Sequence, residues 1–179
     1  MEQTLKQLLR RQGYGGVTIE RVAAESGVAK TTIYRRWGTK AEMVFALVVH
    51  TGDDQPRIDT GSLRGDVEAL AQRAVRLIAD DLGGAVLPGL LAEMATDARL
   101  AEKLRQGFME AARAELEAVV RRARDRGELG DTVEVSDFHA ALLGIPYVQV
   151  HLFGQTDMER MACSLADQLM TLLAGSARQ

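Results

Sequence analysis

The 179-residue sequence predicts an all-α protein, and three observations carry that prediction. Alanine (25) and leucine (22) dominate the apolar residues, and both are strong helix formers. Aromatic residues make up only 4% and proline numbers 3, which disfavours an all-β sandwich. Along most of the chain the apolar residues recur at spacings of three and four, the period of one helix face. The length suits one compact domain, or a small domain sharing a core with a larger one. No stretch approaches the roughly 18 uninterrupted apolar residues of a membrane span, and no secretory leader pattern opens the chain. The single cysteine, Cys163, excludes an internal disulfide framework and a cysteine-based zinc site. Its neighbours Met161, Ala162 and Leu165 predict a packed thiol. A cytoplasmic setting without a membrane partner is the resulting expectation.

Taken in order, Leu5, Leu8 and Leu9 mark a first helix that Gly13-Tyr14-Gly15-Gly16 breaks. Thr18 precedes a second helix with Ile19, Val22 and Ala23 on one face, and its hydroxyl suits the N-cap. Ser26-Gly27-Val28 supplies a turn, and a short helix follows over Lys30–Trp37. Thr39-Lys40-Ala41-Glu42 has the Thr-x-x-Glu form of a capping box and opens a helix through Met43, Val44, Leu47 and Val48. Residues 51–62 are polar and rich in turn formers, which predicts a linker between residues 1–50 and 63–179. Beyond it, Val67 to Leu82 predicts a helix ending near Gly83-Gly84. Leu87–Ala95 predicts a shorter one with Pro88 in its first turn. Asp97 is placed to cap a long helix that stops at Gly127 after Arg121, Arg122, Arg124 and Arg126, cations suited to a helix C-terminus. Two further helices are expected at about 135–153 and 158–174. Val148–Leu152 alternates as a strand would, but it continues a helical pattern and has no partner strand, so it reads as helix bent by Pro146.

Charge separates the same parts. Residues 1–50 hold eight basic against four acidic side chains, a net of +4, while the remainder holds 14 against 21, a net of −7. A basic region on an otherwise acidic chain hints at a polyanion partner. Two short helices joined through Ser26-Gly27-Val28 have helix-turn-helix dimensions, in which the second helix enters the DNA major groove. That second helix begins with Lys30, Thr31 and Thr32, small or flexible donors and acceptors suited to base edges and phosphates. Tyr34, Arg35 and Arg36 follow one turn later, and Lys40 at the next helix start adds a phosphate-seeking ammonium. Each candidate also has a plainer role: Thr18 as a cap alone, Lys30–Thr32 as a solvated helix start, Trp37 as core.

Gly13-Tyr14-Gly15-Gly16-Val17-Thr18-Ile19, Val22-Ala23, Ser26 through Tyr34 and Thr39-Lys40-Ala41-Glu42 together resemble the N-terminal domain of TetR-family transcription regulators, continuously from about Leu5 to Leu47. Leu90-Leu91-Ala92-Glu93 through Arg126-Gly127-Glu128-Leu129 looks like the effector domain of one large subgroup. Tyr34-Arg35-Arg36-Trp37 departs from the commoner Tyr-x-His-Phe. The chain also opens very near its first helix, without the basic arm many members carry. The resemblance implies an N-terminal three-helix helix-turn-helix DNA-binding domain followed by a larger helical ligand-binding and dimerisation domain. Its expected sites are Thr18, Lys30, Thr31, Thr32, Tyr34, Arg35, Arg36 and Lys40 on a double-stranded DNA operator. A small-molecule effector is expected among Met94, Phe108, Met109, Tyr147 and His151, and a homodimer seam along Leu142, Leu143, Val150, Leu165, Leu169, Leu172 and Leu173. No catalytic or metal-binding constellation and no cofactor motif is present. The competing expectation is a helical adaptor whose helix-turn-helix binds protein.

Overall fold

The computed structural model describes residues 1–49, 57–130 and 133–176, with the side chains at 107–111 and 175–176 also left outside that description. Much of the expected linker therefore lies outside the described residues, as do the side chains of Phe108 and Met109. The described residues form α1 (Glu2–Gly16), α2 (Ile19–Ser26), α3 (Lys30–Arg36) and α4 (Lys40–Val44), which runs on into a π-helical turn (Phe45–Val49). Then come α5 (Leu63–Ala79), α6 (Asp81–Thr96), α7 (Ala98–Asp125), α8 (Val135–His151) and α9 (Met158–Ser176), with no strand among them.

Local chemistry fixes most of the boundaries. Thr18 Oγ1 accepts the Arg21 N–H at 3.2 Å and starts α2, while Gly27, at φ 70°, ends it in a left-handed turn. Thr39 Oγ1 accepts the Glu42 N–H at 3.1 Å, and Glu42 Oε2 in return accepts the Gly38 N–H at 3.0 Å. That is a capping box closed one residue earlier than usual. Asp97 Oδ1 takes the Arg99 and Leu100 N–H groups, each at 3.0 Å. At the far end of α7, Gly127 sits at φ 72°. Its N–H donates to Arg124 O at 2.8 Å and the Glu128 N–H donates to Ala123 O at 2.9 Å, the paired bonds of a Schellman stop.

Two boundaries differ from the sequence reading. Gly13 does leave helical geometry, at φ 66°, but a helical turn resumes through Gly16. The expected break at Gly83-Gly84 falls instead at Asp80, whose carboxylate caps α6 by accepting the Gly83 N–H. The glycine pair and Pro88 are therefore inside α6. The aspartate cap satisfies an otherwise orphaned donor, and it is together with the burial of Leu82, Val86, Leu87 and Leu90 that it offsets the helix cost of the two glycines. The strand-like run Val148–His151 is helical, as expected, with Pro146 inside α8.

The chain packs as two compact units. One comprises residues 1–55 and 80–108 and has Leu5, Leu8, Leu9, Val22, Ile33, Met43 and Val44 fully buried. The other comprises residues 56–79 and 109–179, where α5 packs on α8 and α9 around Val67, Leu116, Phe138, Leu165 and Leu169. In that second unit Asp66 is fully buried. Its Oδ1 accepts the Thr60 N–H at 2.7 Å and the Thr60 hydroxyl at 2.8 Å, while Arg126 and Arg122 stand 3.7 and 3.9 Å from Oδ2. Cys163 is exposed rather than packed. The buried row of α9, Met161, Ala162, Leu165, Ala166, Leu169 and Leu173, follows the helical period and leaves Cys163 on the opposite face.

Candidate nucleic-acid interface

The positioning of α3 begins with its apolar side. Ile33 (0% exposed) and Trp37 (7%), four residues apart, anchor it in the first unit. The remaining face of the helix points outward, so Lys30, Thr31, Thr32, Tyr34, Arg35 and Arg36 are all exposed. Seven residues with only one fully buried side chain make a poor free-standing helix but a well-aimed one when docked. Thr18 is exposed beside this surface while capping α2.

The cations on this surface are in different situations. Lys30 Nζ lies 2.6 Å from Glu20 Oε1 and 5.6 Å from the centre of the Tyr34 ring. The Tyr34 hydroxyl donates to the same Glu20 oxygen at 3.2 Å, and its ring is 43% exposed rather than packed on the protein. The hydrogen bond from Lys30, aided by the Glu20 backbone N–H and then by the Tyr34 hydroxyl, lowers the Glu20 carboxyl to about 2, so it stays ionised. Arg36 lays its guanidinium over the Trp37 ring, 4.8 Å from its centre, an arrangement favoured by the ring quadrupole. Arg11 pairs with Glu25 at 2.8 Å, and Arg21 donates to Gln12 at 2.8 Å.

Lys40 faces inward. Its ammonium sits 3.9 Å from the centre of the Tyr14 ring, donates to the Tyr14 carbonyl at 3.3 Å and lies 4.0 Å from Glu93. Tyr14 donates its hydroxyl to Glu93 at 2.6 Å. Burial first, and then that carboxylate, push the phenol far up, so it remains a donor. The ring rests against Gly89 of α6, where a Cβ would come within 2.6 Å of it. Glu20, Tyr14 and Glu93 were not among the residues singled out from sequence. Glu20 carries only the signal of an acid in a first helical turn, and no local pattern marks Tyr14 or Glu93, which meet across 79 residues of sequence.

The other expected sites are only partly brought together. Tyr147 and His151 meet on α8 with ring centres 4.5 Å apart, and His151 Nε2 is buried without a hydrogen-bond partner. Desolvation lowers the His151 pKa. Met94, half-buried on α6, belongs to the other unit. Of the expected seam, Leu142, Leu165, Leu169 and Leu173 are buried within the single chain, because α5, α8 and α9 need them for their own core. Leu143 and Val150 are half-buried and Leu172 is 37% exposed.

A short outward-facing helix rich in hydroxyls and cations, on a three-helix frame, is the reading head of a helix-turn-helix DNA-binding protein. Residues 4–47 match the profile described as "Bacterial regulatory proteins, tetR family", and residues 57–173 match "Tetracyclin repressor-like, C-terminal domain". A DNA-binding transcriptional repressor TetR of Mycobacteroides abscessus is 32% identical over 174 residues, spanning 96% of this chain and 91% of that protein. The crystal structure of a TetR family transcription regulator superposes with a TM-score of 0.74 at 29% identity, covering 94% of each chain. The regulator FadR from Bacillus subtilis, solved in complex with stearoyl-CoA, shares the fold with a TM-score of 0.64 at 15% identity, covering 97% and 96%. The chain belongs to the TetR family of transcriptional regulators and is a DNA-binding regulator. That membership favours DNA over protein as the partner of the helix-turn-helix.

Proposed function

We propose that the protein is a homodimeric repressor that a small-molecule effector releases from a palindromic operator. The observation that carries this reading is the polar outward face of α3 held on the buried Ile33 and Trp37. In this reading residues 1–50 are the DNA-reading head, 51–62 the linker and 63–179 the effector and dimerisation domain. Lys30, Thr31 and Thr32 reach base edges, while Thr18, Tyr34, Arg35 and Arg36 engage phosphates. Lys40 reaches phosphate only after leaving Tyr14 and Glu93. One head reads few base pairs, so a two-fold dimer with matched half-site spacing supplies the specificity. Leu143, Val150 and Leu172 contribute the remaining apolar surface of its seam.

The effector site is proposed around Tyr147 and His151, where a buried imidazole nitrogen lacks a partner. The related fold that holds stearoyl-CoA supports a cavity in such a domain without naming its occupant here. Moving the protein from mostly bound to mostly released requires the effector to prefer one state by about 5 kcal/mol. A cytoplasmic location follows from access to DNA.

Selection of random duplexes by the purified protein tests the reading directly, and a palindromic or near-palindromic consensus is expected. In shift assays, combined Lys30→Ala and Thr31→Ala should abolish the preference for that consensus. Operator affinity should also fall linearly in log–log form with salt. Recovery of no preferred sequence would refute the proposal.

A further inference from the structure

Two donors on α3, Lys30 and Tyr34, are already paired within the chain. Glu20, in the first turn of α2, receives both the Lys30 ammonium (2.6 Å) and the Tyr34 hydroxyl (3.2 Å) on one carboxylate oxygen. All three side chains are solvent-exposed, with Glu20 at 54% and Lys30 at 51%. An exposed ion pair contributes little to folding stability, so the cluster needs another explanation. An acid on the surface that meets a polyanion is also costly for binding in general.

We infer that Glu20 is a specificity-determining residue, which holds Lys30 and Tyr34 as one fixed pair of donors and withholds them from indiscriminate phosphate binding. The inference rests on the proposed DNA-reading role of α3. Non-specific association is almost wholly electrostatic, and any phosphate serves it. A lysine already paired with a carboxylate must give up that partner before it can take a phosphate, a cost that falls on non-specific binding. In the operator complex the same pair arrives already arranged. Less side-chain entropy is then lost per contact than with two free side chains. Glu20 therefore weakens non-specific binding while reducing the ordering cost at the operator. The difference between the two is specificity. Glu20 remains ionised throughout the physiological range, so the clamp is set by structure and not by pH.

The test compares Glu20→Gln with wild type on the selected operator and on an unrelated duplex of equal length. Glutamine keeps a hydrogen-bond acceptor but removes the charge. Binding to unrelated DNA should tighten by about two- to fivefold, the reach of one exposed ion pair. The salt slope should steepen by about one, as one more cation engages phosphate. Operator affinity should stay level or fall, so the ratio of the two drops. Glu25→Gln, which removes the same charge from α2 but releases Arg11 rather than Lys30, should shift both duplexes alike and leave the ratio unchanged. In a Lys30→Ala background, Glu20→Gln should no longer tighten non-specific binding. Equal tightening on both duplexes, persistence of the gain without Lys30, or the same change from Glu25→Gln would each overturn the inference. An absence of sequence preference in the wild-type protein would instead overturn the DNA-reading role itself. Thermal melting of each variant separates these outcomes from loss of fold.

Discussion

At Thr18 one hydroxyl closes the start of α2 by accepting the Arg21 N–H. Loss of such a cap typically costs about 1 kcal/mol. Thr18→Ala should therefore lower the melting temperature by roughly 2–4 °C for a chain of this size. Thr18→Asn keeps an acceptor in place and should restore the wild-type melt, as followed by circular dichroism. If Thr18 also holds a phosphate, the asparagine variant will bind operator less well at wild-type stability. These caps are readable from sequence because cap and donor lie three residues apart, and the same holds for Thr39 and Asp97. Tyr34 was less legible. Its place on α3 predicts a DNA contact but does not reveal that its hydroxyl donates to Glu20 across the turn. A partner fourteen residues away leaves no trace in local spacing.

At the scale of the element, α6 illustrates how glycine can be read correctly as small and wrongly as a breaker. Gly83-Gly84 looked like a helix end, but the Asp80 cap sets the start and the pair lies inside. Gly89 is the glycine whose absence of a side chain α6 requires, because the Tyr14 ring fills that space. Gly89→Ala places a methyl 2.6–2.9 Å from Tyr14 carbons, which forces the ring or α1 to shift. Overpacking of this kind costs about 1–3 kcal/mol. Gly84, with nothing within 4 Å of an added Cβ, makes the opposite prediction. Gly84→Ala should stabilise the protein by up to about 1 kcal/mol through helix propensity. Urea denaturation midpoints distinguish the two, and a stabilising Gly89→Ala would contradict the packing described. The Tyr14–Lys40–Glu93 cluster explains why Lys40 could not be placed from its motif. The position at the start of α4 was legible, but the direction of the side chain depends on α1 and α6.

Over the whole molecule the net charge of −3 is a poor guide to partners, because +4 lies in the first 50 residues and −7 in the rest. Leucine content likewise does not separate a seam from a core, since burial inside one chain and burial between two have the same helical period. Charge and burial meet again at the histidines. His139 is only 5% exposed, and desolvation lowers its pKa below 6.5, as it also does for His151. In the unfolded chain both return to about 6.5. Between the lowered value and 6.5 the unfolded state therefore binds more protons than the folded state, and stability increases with pH in that window. The contribution is complete above about pH 6.5 and is lost as the pH falls toward the folded value, by at most about 1.4 kcal/mol per pH unit for each histidine. Urea midpoints should consequently drop between pH 7.5 and 5.5. His139→Gln, which has no proton to gain, should flatten that dependence while lowering the midpoint at neutral pH. A wild-type midpoint that is level across the range would show that the buried imidazoles accept protons as readily folded as unfolded.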